Sequence, residues 1–274
     1  MAGIWPGDTQ CIVNFTFDVD GVSSWLNFDP GIARRPSVVS MAEYGPNVAA
    51  WRILDILDTH NIKATFFFTG HTAERHPNLV KAVALAGHEI GHHGYIHEPP
   101  AELTHQEEKD ILEKVTTILE NLTGTPPIGY RAPKFDVSDI TMDLLKSHGF
   151  VYDSSLMGDD APYFVETSHG KLLEIPGYWS LDDGNHFLVS TVAGRTSPML
   201  TPNQLFNIWS SEFNGLYNRG RACTVTMHPQ YIGRPGKLLV LERFIRHIKS
   251  HPNVEFMRMI DLANMCSNTN LNLR

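Results

Sequence analysis

The chain has 274 residues, 42% of them hydrophobic, with a formal net charge of -8. That length and apolar content supply a large core, and the acidic balance argues against nucleic acid or an anionic membrane as a main partner. No apolar run nears the roughly 20 residues of a membrane span. The start, MAGIWPGDTQ, has no basic segment leading into an apolar one, and Cys11, Cys223 and Cys266 form no CxxC pair, so a cytoplasmic setting is expected.

CIVNFTFDVD alternates as a strand does. Val13, Phe15, Phe17 and Val19 fall on one face, and Ile12, Asn14, Thr16, Asp18 and Asp20 on the other. A loop rich in Pro, Gly and Ser is expected from there to about Gly45. VAAWRILDILDTHN has helical spacing, KATFFFTG reads as a buried strand, LVKAVALAG as a helix stopped by Gly87, and HEIGHHG as the next strand. Thr104 and Glu107 make a capping box for a long helix whose buried stripe is Ile111, Val115, Ile118 and Leu122.

IGYRAP then reads as a strand, SDITMDLLKSHG as a helix and FVYDSS as a strand. Between 156 and 200 the pattern is less regular, with strand candidates in LLEIPG and FLVSTV. A helix opens at Thr201, with Pro202 in its first turn and Gln204 completing the cap. ACTVTMHP, GKLLVLERFIRHIKSH and VEFMRM give strand, helix and strand. Seven or eight strands alternating with helices, and no dividing linker, indicate parallel βαβ units in a single domain spanning 1–274. The expected class is α/β, a distorted and incomplete barrel. Asp18, Asp20, His93, Arg131, Asp153 and His228 all fall at or just past strand ends, where such a barrel carries its site.

HHGYIHE, residues 92 to 98, sets His93 and His97 four apart in a chain with 14 histidines. One helical turn would bring the pair onto one metal, although Pro99 and Pro100 stop that turn from extending. Alone, the pair is weak evidence, and a solvated turn is the competing reading. A third ligand strengthens it, since hydrolytic zinc sites use three protein ligands. Asp20 is the candidate, with Asp18 about 7 Å away on the same face. Two such carboxylates repel unless a cation lies close. His92 is read as a packing residue.

FDVDG, HGYIH, YRAP, DSSLM and TMHP together resemble the polysaccharide deacetylase (NodB-homology) family. The likeness runs from about residue 10 to 265. It is closest to the subgroup typified by the cytosolic Helicobacter peptidoglycan-deacetylase-like protein and the cyclic imidases. The resemblance implies a (β/α)7 TIM-like barrel and hydrolysis of non-peptide C–N bonds. It makes Asp20, His93 and His97 the metal ligands, Asp18 the base, Arg131 the residue that holds the base, and His228 the general acid. The fourth motif falls on Asp153 or Asp160, either of which would assist His228. Two departures stand out. Val19 separates acids that are adjacent in most secreted members, and Lys134 takes the place of an aromatic.

Zinc is the default ion, with Co, Ni, Fe or Mn also suited to two imidazoles and a carboxylate. The expected substrate is an N-acetylated sugar or a small cytosolic amide; the alternative is a cyclic imide or allantoin-like ring. Trp25, Tyr163, Phe164, Tyr178 and Trp179 are candidate pocket walls, with the core as the alternative for each. A barrel that binds ligand without turnover is a further reading, against which the base and acid count. A homo-oligomer is expected by resemblance, a tetramer being one form, with residues 22–45 as a candidate interface.

Overall fold

The computed structural model describes residues 4–190 and 198–268. Its first strand, β1 (Cys11–Val19), is buried at every residue, as a strand covered on both faces must be. Val13, Phe15, Phe17 and Val19 join the large apolar cluster that includes Phe244 and Trp209 from the outer helices. Ile12 belongs to a second cluster, with Phe67, Tyr152 and Met259. By alternation Asn14, Thr16 and Asp18 share that inner side.

Eight strands follow in chain order: β2 (Thr65–Phe68), β3 (Glu89–His92), β4 (Gly129–Tyr130), β5 (Tyr152–Asp153), β6 (Tyr163–Thr167), β7 (Gly170–Glu174), β8 (Ala222–Met227) and β9 (Val254–Phe256). Their order in the sheet is β6-β7-β5-β4-β3-β2-β1-β8, with β9 on β1. From β7 through β5, β4, β3, β2 and β1 to β8 the neighbours are parallel. Those seven strands form the expected incomplete barrel, and no described ladder closes it between β8 and β7. A single bridge, Asp182 to Thr226, occupies the free edge of β8. β9 pairs with β1 at Cys11–Val13, before β1 meets β2 at Thr16.

The predicted caps are present. Thr104 and Glu107 bond reciprocally at the start of the helix His105–Thr123, and Thr201 and Gln204 at the start of Pro202–Arg219. Gly124 and Gly220 close these two helices at φ 81° and 65°, where a side chain would be strained. Other expectations need correction. Residues 22–45 are not a loop: they form the helices Ser23–Phe28 and Pro36–Tyr44, with a short 3₁₀ turn, Pro30–Arg34, between them. Pro30 and Pro36 open the latter two elements, where a missing N–H costs nothing; read as breakers, they hid the helices. LLEIPG falls on the end of β7, which is the second arm of an antiparallel hairpin with β6 that periodicity did not reveal. In FLVSTV, Phe187 ends the short helix Gly184–Phe187, Leu188 and Val189 are irregular and Ser190 takes part in a β-bridge; Thr191 and Val192 lie outside the described residues.

Close packing of β3 on β2 sets one stability expectation. Gly91 pairs with Phe67, and a Cβ added at Gly91 would lie 2.4 Å from the Phe67 ring. The Gly91→Ala variant should therefore lose about 1–3 kcal/mol through overpacking, measured by denaturant titration. An unchanged midpoint would contradict this packing.

Candidate active site

Asp18 ends the inner row of β1, and Asp20 follows it at the barrel rim. Gly21, at φ 56°, turns the chain away. The backbone carbonyl of Asp20 accepts from the Thr72 hydroxyl and from the Ser23 N–H. Its carboxylate faces His93 and His97. His93 comes directly after β3. Its Nδ1–H donates to the Arg131 carbonyl at 2.8 Å, which leaves Nε2 to face Asp20 Oδ1 at 3.6 Å.

His97 arrives by a route the spacing did not foretell. No helical turn joins it to His93; the intervening segment is a series of bends, with Gly94 at φ 68° and His97 itself at φ 67°. The Glu98 carboxylate accepts the Tyr95 and Ile96 N–H groups, and Asn27 donates to the His97 carbonyl. Local polar pairs thus do what helix geometry was expected to do. His97 Nε2 stands 3.8 Å from Asp20 Oδ2, and the two imidazole centroids are 5.1 Å apart. His92 packs on Tyr130 and Phe150, as its packing assignment required.

One ligand atom from each of Asp20, His93 and His97 lies within 4.8 Å of the other two. Asp20 Oδ1 and His93 Nε2 are buried and have no hydrogen-bond partner. Burial holds both imidazoles below the usual histidine range, so they are neutral donors. Burial also pushes the Asp20 carboxyl up to about 7, and Asp18, Asp182 and Asp183 add to this against the pull of His228. Crowded carboxylates and unpaired neutral nitrogens are the conditions a divalent cation relieves. The donor set fits one.

Arg131, fully buried just past β4, reaches across the barrel interior. It donates to Asp18 Oδ1 and to the Thr16 hydroxyl, each at 2.8 Å. Ser154 accepts from its other nitrogens, and the Phe67 ring lies 4.4 Å from the guanidinium carbon. Burial alone would raise the Asp18 carboxyl. The Arg131 guanidinium, the first of the opposing influences, outweighs that and holds it below the usual carboxylate range.

His228 follows β8 and faces the same centre, its Nε2 4.0 Å from Asp20 Oδ2. Its Nδ1–H donates to Asp183 Oδ1 at 2.7 Å. Asp183 also accepts the backbone N–H groups of His228 and Ile232, and Asp182 Oδ1 lies 3.7 Å from the same Nδ1. Burial opposes protonation of His228, yet these carboxylates raise it well above the ordinary histidine value. Neither Asp153 nor Asp160 takes this place. Asp153 accepts from Ser155, and Asp160 is exposed beside a second cavity. Asp182 and Asp183 were missed because they sit in the irregular stretch before Gly184; two adjacent acids were the available signal.

A cavity of about 460 Å³ opens above these groups. Trp25 and Trp179 line it as the candidate list allowed, joined by Phe28, Phe135 and Leu188. Tyr178 borders the second cavity, and Tyr163 and Phe164 belong to β6. No described helix is long and apolar enough to cross a membrane.

The family model described as polysaccharide deacetylase matches residues 31–152. A peptidoglycan deacetylase of Helicobacter pylori is 31% identical, over 93% of this chain and 95% of that protein. A solved Mycobacterium smegmatis protein, described as a polysaccharide deacetylase, is 38% identical and superposes with a TM-score of 0.95 over 98% of this chain and 94% of that one. A solved allantoinase is also similar: 26% identity, TM-score 0.86, with 98% and 95% of the two chains covered. On relatedness that runs through nearly the whole length, the chain belongs to the polysaccharide deacetylase family of hydrolases.

Proposed function

We propose that the protein is a metal-dependent hydrolase that removes the acetyl group from the nitrogen of an N-acetylated sugar. The observation that carries this reading is the convergence of Asp20, His93 and His97 between two charged pairs, Asp18–Arg131 and His228–Asp183. A divalent cation held by those three ligands, zinc by default, would polarise the acetyl carbonyl and lower the pKa of water towards 7. Asp18, kept ionised by Arg131, takes the proton of the attacking water. The C–N bond then breaks as His228, held in its protonated form by Asp183, gives its Nε2 proton to the departing nitrogen. Acetate and a free amine are the products.

The test is a hydrolysis screen of the metal-loaded protein with N-acetylglucosamine oligomers, succinimide, hydantoin and allantoin. Acetate release that disappears on metal removal supports the reading. A ring-opened acid without acetate supports the second reading, a cyclic-amide hydrolase, which the likeness to a solved allantoinase favours. A cytosolic setting and a homo-oligomeric assembly belong to the same proposal, and light scattering reads the latter.

Metal binding should depend on pH with one proton's slope. With its carboxyl near 7, Asp20 must lose a proton to bind a cation below that pH, and it takes up that proton before either imidazole does as the pH falls, since burial holds both below the usual histidine value. The apparent dissociation constant should rise about tenfold per pH unit below about 7 and flatten above it. Calorimetric titration with zinc between pH 5.5 and 8 reads the slope, and a flat profile would count against Asp20 as a ligand.

A further inference from the structure

Among the described residues lining the cavity above the Asp20, His93 and His97 side chains, Lys134 is the one lysine or arginine. Its backbone is left-handed, at φ 58° and ψ 12°, and Phe135 beside it has φ 57°. Each non-glycine residue in that region costs about 1–2 kcal/mol, and two in succession persist only where something holds them. Phe135 is held: its ring meets Trp179 at 5.2 Å and lies 5.4 Å from the Arg131 guanidinium carbon. The Lys134 side chain is not. Its side chain is 49% exposed, and its ammonium faces Glu102 at 3.7 Å, beyond hydrogen-bond length. A half-solvated pair of this kind contributes little to stability. The fold therefore keeps a strained turn that presents a loosely held cation at the mouth of the cavity.

Resting on the deacetylase reading, we propose that Lys134 selects N-acetylated sugars that carry an anionic substituent, a carboxylate or a phosphate, which it binds in place of Glu102. An ammonium on a flexible stem suits either anion as a point charge. Trp25 and Trp179 give the same cavity flat apolar walls for a sugar ring. Glu102 occupies the ammonium while the cavity is empty and sets a threshold that a neutral sugar has no means to exploit.

Three probes separate the possibilities on the metal-loaded protein: N-acetylmuramic acid, N-acetylglucosamine 6-phosphate and neutral N-acetylglucosamine. We expect kcat/KM for acetate release to favour at least one anionic sugar over the neutral one by about tenfold, the scale of one charge-assisted contact. Lys134→Gln should erase that ratio, chiefly through KM; Lys134→Arg should keep it, and Glu102→Gln should enlarge it. Lys134→Gly should lose the preference while keeping or raising the melting temperature, because glycine relieves the left-handed strain. A ratio that is the same in wild type and Lys134→Gln overturns the proposal. If the wild type frees acetate from none of the three, the deacetylase reading has failed. Calorimetric titration with the same sugars then still decides: tighter binding of an anionic sugar that depends on Lys134 supports this inference, and equal binding overturns it.

Discussion

Replacing His93 by alanine should remove the bound metal and turnover in one step. His93 Nε2 is a buried nitrogen with no hydrogen-bond partner, aimed at Asp20, so its loss leaves two ligands where three converged. The stabilisation a metal gives to developing charge is several kcal/mol, and three intervals of 1.36 kcal/mol are a thousandfold in rate. A fall in kcat of about a thousandfold or more is expected, with metal content near zero by elemental analysis. The variant also strips the Arg131 carbonyl of its 2.8 Å donor, a cost of about 1–3 kcal/mol that a folded protein of this size should survive. Circular dichroism checks that point. A folded, metal-free His93→Ala protein with wild-type turnover would end the metal assignment.

Asp183→Asn is the second large effect. Asparagine keeps one acceptor oxygen, enough for the His228 side of the carboxylate but not also for the Ile232 N–H that Oδ2 accepts, and it removes the charge 2.7 Å from His228 Nδ1. His228 owes its raised pKa to this carboxylate first, then to Asp182 and Asp20, all working against burial. The sign follows directly. Without Asp183 the imidazolium loses its proton at lower pH, so the alkaline limb of the rate profile moves down. The kcat at neutral pH should fall about 10²–10⁴-fold, the range for a displaced general acid, while KM changes little. An alkaline limb that stays in place would show that His228 is not the proton donor.

Much of the barrel could be read from the chain because one physical requirement repeats. A strand covered on both sides must alternate between two buried environments, and β1 does so from Cys11 to Val19. Caps were equally legible, since Thr104 with Glu107 and Thr201 with Gln204 satisfy backbone donors through contacts three residues apart. Asp18, Asp20, His93, Arg131 and His228 do come together, because strand ends in a barrel share one rim. What stayed hidden depends on conformations that leave no period. The loop from Gly94 to Glu98 delivers His97 through positive φ angles and a carboxylate cap. The Asp182–Asp183 pair is held by one bridge to Thr226 and by the backbone N–H groups it accepts. Pro30 and Pro36 look alike as helix starters and helix breakers until the fold places them.

The pairing of β1 with β2 on one edge and β8 on the other also sets an order for events on the ribosome. Asp20, His93 and His97 lie within about 80 residues of chain, and the strands that precede them can zip together early. His228 emerges roughly 130 residues later, and contacts between such distant segments are slow to form. On the proposed reading, a nascent chain would gather the cation-binding side chains well before it owns a proton donor, and an unfinished barrel would have no means of completing hydrolysis.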